Sequence, residues 1–360
     1  MFERVFKLSE HKTTVKTEVM AGITTFMTMA YILAVNPSVL GSTCMDTTAV
    51  LLATALASCL GTLCMAFMAN LPFALSAGMG LNAFMAYTVV AGYGYSWQVA
   101  LLAVFIEGLI FIVLSLTNIR EAIFNAIPLT LKKGVSVGIG LFIAFIGLQN
   151  SGLCVDSATL VGIISFPENF HTAGICALLT LIGLFFTAVF YTRKMKGAIL
   201  YGILLTWILG MLCQVTGLYV PTPDAGFYSL FPSWGMTDFS KLGLTFGQCF
   251  NVDFSAVGIV NFIVVIFSFL FVDIFDTLGT LIGVATKANM LDKDGKLPGI
   301  KPALMADSIA TSAGAILGTS TTTTFVESAS GVAVGGRTGL TALVMGILFL
   351  VSSLFAPIFT

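Results

Sequence analysis

Two hydrophobic segments of membrane-spanning length carry carboxylates, and this feature constrains the fold of the chain more than any other. Residues 262–285 contain Asp273 and Asp276, and residues 319–336 contain Glu327. An ionisable side chain at the centre of a spanning helix costs roughly 2.5–3.5 kcal/mol on insertion scales. A position facing lipid would leave these groups without partners. The three carboxylates therefore predict a polar functional site enclosed by helices.

The composition predicts many such spans. Mean hydropathy is +1.01, and 9% of the 360 residues are charged, against about 25% in soluble domains. One span takes about 20 apolar residues. We therefore expect an all-α polytopic membrane protein, neither an enzyme nor a nucleic-acid-binding protein, with about eleven spans at 19–40, 49–68, 73–90, 99–116, 135–148, 173–190, 198–218, 259–285, 303–317, 320–336 and 340–356.

The positions of Lys and Arg predict the orientation. Short cytoplasmic loops collect these residues, and with a cytoplasmic N-terminus all of them except Lys241 lie on the cytoplasmic side of the predicted spans. We therefore predict a multi-pass protein of the cytoplasmic (inner) membrane, in contact with membrane lipid. Residues 1–18 would form an amphipathic N-terminus on the cytoplasmic side.

The third and tenth spans look interrupted. Seven spans precede the long loop 219–258, so the second group starts in the opposite orientation, as an inverted repeat requires. In the third span Pro72 leads to Gly78, Gly80 and Asn82, and in the tenth a threonine run leads to Glu327 and Ser328. These patterns predict extended backbone followed by half-helices. Paired interruptions of this kind are typical of a transporter's binding site.

The eighth span presents one polar face. Asp273, Asp276, Thr280 and Gly283 are spaced i, i+3, i+7 and i+10, which places them on the same side of a helix. Such a face can line a cavity. Two alternatives are that the acids only bind neighbouring helices, or that they belong to an intramembrane aspartyl protease, which would need an acid pair on separate spans.

Other polar residues are less specific. Glu327 would lie at the start of a half-helix, where a capping role is the alternative. Glu107 is either a member of a proton relay or a structural acid, and Asp307 is expected to make a contact at a helix terminus or between domains. Glycines such as Gly134, Gly138 and Gly140 predict close helix packing.

Metal or cofactor binding is not expected. The seven cysteines have no metal-ligand spacing, and His11 and His171 lie outside the predicted spans. We therefore interpret the cysteines as packing residues.

Four motifs resemble the AzgA-like branch of the nucleobase:cation symporter family, the bacterial and fungal permeases for adenine, guanine and hypoxanthine. They are TEVMAGITTFMTMAYILAVNP (17–37), FALSAGMGLNAFMAY (73–87), FVDIFDTLGTLIGVA (271–285) and ADSIATSAGAILGTSTTTTFVESASGVAVGGRTGLTA (306–342). The resemblance implies fourteen spans in two inverted seven-span repeats, with short strands of spans 3 and 10 meeting at the substrate. It also implies a core domain (19–117 and 259–356) and a gate domain that begins with 118–218. Spans 12–14 of that plan have no counterpart here, so we expect an incomplete gate.

The resemblance also implies the site and its partners. A purine would bind at Asp273, Glu327, Gly80, Asn82, Ser328 and Thr280, and a proton would couple through Asp276 and Glu327. Which of Asp273 and Asp276 contacts the base stays open, as does a homodimer. The expected function is proton-coupled purine uptake by alternating access. The alternatives are a truncated membrane binder that does not transport, or the same fold carrying xanthine or uracil.

Overall fold

A computed structural model describes residues 2–117, 128–157, 160–195, 198–222, 226–253, 257–292 and 297–358. Several cations used for the orientation, Arg120, Lys196, Lys293 and Lys296, lie outside the described residues. Within the described residues, six helices are long and apolar enough to cross a membrane: Val15–Gly41, Thr47–Ala69, Trp97–Leu116, Phe166–Thr192, Ile259–Thr286 and Gly339–Ile358. The chain is thus a multi-pass helical membrane protein.

The described chain is divided into two compact units, residues 1–136 with 234–360, and residues 137–233. Their helices are α1 Phe2–Phe6, α2 Val15–Met29, α3 Ile32–Gly41, α4 Thr47–Cys64, α5 Met79–Ala83, α6 Trp97–Leu116, α7 Leu129–Asn150, α8 Phe166–Asn169, α9 Ile175–Thr192, α10 Ala198–Val215, α11 Ile259–Lys287, α12 Ile300–Leu317, α13 Ser328–Val334 and α14 Gly339–Ser352. Four short strands are β1 Leu75–Ala77, β2 Val155–Ser157, β3 Leu160–Gly162 and β4 Thr322–Thr324. Helix α5 continues as the π-helical segment Phe84–Gly92.

Polar caps fix where several helices begin. Asp46 Oδ1 accepts from the backbone N–H of Ala49 at the start of α4, and Thr14 accepts from Thr17 at the start of α2. These side chains satisfy N–H groups that have no partner within the helix. Because Thr14 caps α2, that helix begins at Val15 rather than at 19. Glu18, the last residue of the predicted N-terminal segment 1–18, is fully buried in the first turn of this helix.

The two predicted interruptions are confirmed as extended segments. Strands β1 and β4 pair in antiparallel fashion, with Ser76 opposite Thr323. Both strands are buried, so their pairing satisfies backbone groups that would otherwise be costly to enclose. Helix α5 begins directly after β1, and α13 follows β4. The count of eleven spans stays a prediction. The two interrupted segments and the polar helix α12 are not continuous apolar helices of spanning length.

Close helix packing occurs at glycines other than those predicted. A Cβ at Gly108 of α6 would lie 2.8 Å from the backbone nitrogen of Ser312 on α12. At Gly134, Gly138 and Gly140 a Cβ would meet no atom within 4 Å among the described residues. Packing at these three glycines therefore stays a prediction, because glycine content alone does not indicate which helix faces come together.

Candidate functional site

The site is built around the β1–β4 pair. The backbone N–H of Gly78 donates to the carbonyl of Thr321 over 2.9 Å, and that of Phe325 donates to Ala74 over 2.9 Å, so pairing extends beyond the strands. Since the strands are antiparallel, α5 and α13 begin at opposite ends of a ribbon three residues long. Three residues of strand span about 10 Å. Two helix N-termini are thus held within reach of one small molecule.

Helix α11 crosses this ribbon with its predicted polar face. Thr277 Oγ1 lies 2.7 Å from Thr323 Oγ1 of β4. Asp276 approaches the turn before α5, because a Cβ on Gly78 would lie 3.6 Å from Asp276 Oδ2. The absence of a side chain at Gly78 allows β4 to pack closely against this turn, since the same Cβ would be only 2.7 Å from a methyl group of Thr323. Asp276 and Thr280 are both partly exposed, so this face of α11 is open at these positions.

A second pair of acids lies behind that face. Thr277 Oγ1 is 2.9 Å from Asp273 Oδ1 and 3.1 Å from Asp307 Oδ1. Asp273, Thr277 and Asp307 are all fully buried. The prediction that Asp307 lies at a helix terminus or between domains was wrong. It lies inside α12, which begins at Ile300, and the packing of both α12 and α11 against β4 brings it to this cluster.

Glu327 directly precedes α13, as predicted. Its side chain makes no capping hydrogen bond, and the hydroxyl of Tyr31 donates to Glu327 Oε1 over 2.7 Å. The capping alternative is therefore wrong. Glu327 is partly exposed and lies within electrostatic range of Asp276. Sequence reasoning missed Tyr31, because a lone tyrosine in an apolar segment gives no sign of its partner.

The threonine run is held by polar side chains from four surrounding elements. Each of its positions from 319 to 323 except 322 has a side-chain partner: Asn36 donates to Thr319, Ser320 donates to Asn82, Thr321 donates to Glu107, and Thr323 lies against Thr277. Thr322 is held through its backbone, since its carbonyl accepts from Thr311 over 2.9 Å. These contacts explain why an extended polar segment is stable inside a helical membrane protein.

Some of the remaining predicted site residues hold the β1–β4 pair in place, and the others lie on the open face. Ser328 is fully buried, and its Oγ accepts from the backbone N–H of Ala74 over 3.0 Å. Asn82 is also buried, and its Nδ2 has no hydrogen-bond partner among the described residues. Gly80, in the first turn of α5, is partly exposed. Asp276, Thr280, Gly80 and Glu327 are therefore the predicted residues that a ligand can reach.

The part of the chain that the structure describes contains no group of three or more His, Cys, Asp or Glu side chains that could hold a metal ion. The seven cysteines are free thiols. The chemistry that this site offers is hydrogen bonding to carboxylates and to backbone groups.

The architecture is that of a polytopic helical membrane protein. The fold resembles the transmembrane domain of the cyanobacterial bicarbonate transporter BicA with a TM-score of 0.61, covering 95% of this chain and 85% of that one at 14% identity. At so low an identity the likeness concerns the fold alone.

The sequence matches the model of the Permease family, Xan_ur_permease, over residues 16–360, and the chain belongs to that family. Adenine permease AdeP of Escherichia coli is 42% identical over 99% of this chain and 76% of its own length. Guanine/hypoxanthine permease PbuG of Bacillus subtilis is 45% identical over 98% of this chain and 78% of its own length. The family resemblance seen in the motifs is confirmed, as is the prediction of a permease rather than an enzyme.

Proposed function

We propose that this protein takes up purine nucleobases, namely adenine, guanine or hypoxanthine, across the cytoplasmic membrane. The observation that carries the proposal is the β1–β4 pair, which gathers the acids of two separate segments around one open face. Relatives that cover nearly the whole chain are named adenine and guanine/hypoxanthine permeases. Uptake by alternating access would expose this face to one side of the membrane at a time.

Asp276 and Glu327 would recognise the base. A neutral purine offers ring N–H donors, and a carboxylate accepts such bonds strongly in a site without water. Thr280 and the backbone near Gly80 would complete the contacts, while Asn82 and Ser328 hold the backbone that shapes the site. An analogue without an N–H donor would leave a carboxylate unpaired, which costs about 1–3 kcal/mol or more. Selectivity for purine bases follows from that cost.

Asp273 and Asp307 would carry the coupling proton. The single hydroxyl proton of Thr277 cannot be donated to both carboxylates at once. Two carboxylates that share one partner favour the binding of a proton between them, because their charges repel. Thr323 links this pair to the ribbon through Thr277. Protonation would thus be transmitted to the strand that leads to Glu327. We therefore propose Asp276 as the acid that contacts the base, one of the two alternatives that the motifs left open.

The remaining features are proposed from the motifs and charges. The protein would have a cytoplasmic N-terminus and two inverted seven-span repeats. Residues 19–117 and 259–356 would form a core domain, and residues 118–218 would form part of a gate domain. Residues 219–258 would form an extracytoplasmic loop. The contact between Lys241 Nζ and Asp46 Oδ2 at 3.3 Å joins two residues that this topology places on the same outer side.

The test is uptake of radiolabelled adenine, guanine and hypoxanthine by cells that lack purine transport and express this chain. We expect accumulation that a protonophore abolishes, and competition by purines but not by uracil. Asp276→Asn should remove uptake at substrate concentrations that saturate the unmodified protein. Glu10→Gln is the matched control, because Glu10 is an exposed acid whose salt bridge among the described residues is to the exposed Lys7.

Specific outcomes would contradict each part. Full uptake by Asp276→Asn would exclude Asp276 as a base-binding group. Accumulation that persists with the protonophore would exclude proton coupling, and preferential competition by xanthine or uracil would change the substrate class. Binding of purine without uptake would make the chain a binder rather than a transporter.

A further inference from the structure

The half-helix that follows Glu327 cannot fix its own position. Helix α13 has seven residues, and helices this short are not stable without tertiary packing. It lies against α2, since a Cβ at Gly331 would lie 2.7 Å from the carbonyl oxygen of Ala21. Such close contact leaves α13 little freedom across its axis. Movement along its axis must be restrained by contacts at its ends.

Side-chain bonds connect α13 to α2 and the start of α3 at successive levels. Tyr31 binds Glu327 before the first turn, and Thr28 Oγ1 lies 2.9 Å from Ser330 Oγ one turn further on. The residue numbers fall along α2 as they rise along α13, so the two helices run antiparallel. The far end of α13 must therefore lie near the beginning of α2.

Glu18 occupies that position and binds the joint between α13 and α14. Its Oε1 accepts from the backbone N–H of Arg337 over 2.9 Å. Its Oε2 accepts from the backbone N–H of Thr338 over 3.2 Å and from Thr341 Oγ1 over 2.6 Å. Glu18 is fully buried. A buried carboxylate with three donors is bound strongly, because hydrogen bonds to an ionised group are about twice as strong as neutral ones.

Arg337 closes the same joint from the other side. Its Nη1 donates to the carbonyl of Val332 over 2.8 Å and to that of Gly336 over 2.6 Å. The carbonyl of Val332 lies in the last turn of α13, where it also accepts from the backbone N–H of Gly335 over 3.1 Å, and the carbonyl of Gly336 lies just after that turn. The joint also contains Gly335 at φ +122°, a conformation that glycine adopts readily. The joint is thus held by Glu18 at its N–H groups and by Arg337 at its carbonyls.

We propose that Glu18 is a positioning residue for the substrate site, acting through α13 on Glu327. It fixes the far end of a seven-residue helix whose first turn adjoins the base-binding acid, and so sets how far Glu327 extends along α2. The inference rests on the proposed function for its readout in transport. Its structural part, the rigidity of the joint, does not depend on what is transported.

The primary test is Glu18→Gln. The amide keeps the length of the side chain but places an NH₂ group against backbone N–H donors, so at least one of the bonds at the joint is lost. We expect the apparent KM for purine uptake to rise roughly tenfold, on the scale of one charge-assisted hydrogen bond, with a smaller change in maximal rate. Glu10→Gln, an exposed acid on the same N-terminal segment, is the control and should match the unmodified protein.

A second pair of variants separates positioning from folding. Thr341→Val removes one donor to Glu18 and should raise KM in the same direction by a smaller factor, while Thr341→Ser keeps the hydroxyl and should restore the value. If Glu18→Gln does not fold, the Thr341 pair decides the question. A KM unchanged in both Glu18→Gln and Thr341→Val, or a fall only in the amount of folded protein, would overturn the proposal.

Hydrogen exchange distinguishes this proposal from the transport function. In purified Glu18→Gln the amides of Arg337 and Thr338 should exchange at least several-fold faster, because their acceptor is weakened. If the unmodified protein transports no purine, the proposed function fails, and faster exchange extending into Ser328–Val334 would still support the role of Glu18 in positioning α13. Exchange unchanged at the joint and in α13 would overturn that role whatever the substrate.

Discussion

The hydroxyl of Tyr31 provides a direct test of the site, because it is the described hydrogen-bond donor to the Glu327 side chain. Its distance to Glu327 Oε1 is 2.7 Å. Tyr31→Phe removes this donor and keeps the ring, so packing is preserved. The orientation of the Glu327 carboxylate then depends on α13 and on the substrate alone.

The magnitude follows from the kind of bond. A hydrogen bond to a charged group contributes about 1.5–3 kcal/mol, and about 1.4 kcal/mol corresponds to a tenfold change in affinity. Part of this loss affects the empty protein as well as the complex. We therefore expect purine affinity to fall by roughly tenfold, the lower end of the range, and the maximal transport rate to change less.

The assay is equilibrium binding of radiolabelled purine to purified protein, with uptake measured in parallel. Tyr93→Phe is the matched control, since Tyr93 is 54% exposed. Removal of its hydroxyl should leave purine affinity unchanged. If Tyr31→Phe binds purine within twofold of the unmodified protein, the Tyr31–Glu327 bond does not orient a substrate ligand. The assignment of Glu327 to the base would then lose its main geometric support.

Three further predictions test other parts of the structure. Thr277→Val removes the hydroxyl shared by Asp273 and Asp307, and we expect uptake to lose its dependence on the proton gradient; Thr286→Val, on the same helix but exposed, should retain it. Gly108→Ala places a methyl group against α12 and should lower stability by about 1–3 kcal/mol, as overpacking does, seen as a lower melting temperature in detergent; an unchanged melting temperature would contradict the close crossing. Asp46→Ala should cost about 1 kcal/mol through the lost cap of α4, whereas Asp46→Asn should not; equal melting temperatures for the two variants would exclude capping.

The chemistry of the site was largely predictable from local sequence. Acids are so costly in membrane segments that Asp273, Asp276 and Glu327 indicated an enclosed polar site without reference to any fold. The segment that follows Pro72 and the threonine run each indicated extended backbone, and strands β1 and β4 occur there. Both inferences depend on properties of residues within one segment, which is why they could be made from the sequence.

Contacts between distant segments could not be predicted in this way. Asp307 lies in a helix, and Tyr31 lies in the turn between α2 and α3, whose orientations are set by neighbours, and nothing in their own segments indicates which face meets the site. Glu18 was assigned to the amphipathic N-terminal segment 1–18 because the predicted span began after it, although a threonine cap starts the helix earlier. The close packing at Gly108 was not predicted for the same reason, since close approach depends on two helices at once.

The sequence by itself determined that the chain is a multi-pass helical membrane protein, with carboxylates enclosed in two of its segments and with two interrupted spans. Membrane insertion and backbone satisfaction impose their costs residue by residue, so local composition is enough for these conclusions. Only the tertiary structure decided which acids stand open to a ligand and which are buried behind them. Asp273 and Asp276 are three residues apart on one helix, yet Asp273 is enclosed with Thr277 and Asp307 while Asp276 is partly exposed. That difference arises from where α12 and the β1–β4 pair cross α11, a relation between segments that no single segment encodes.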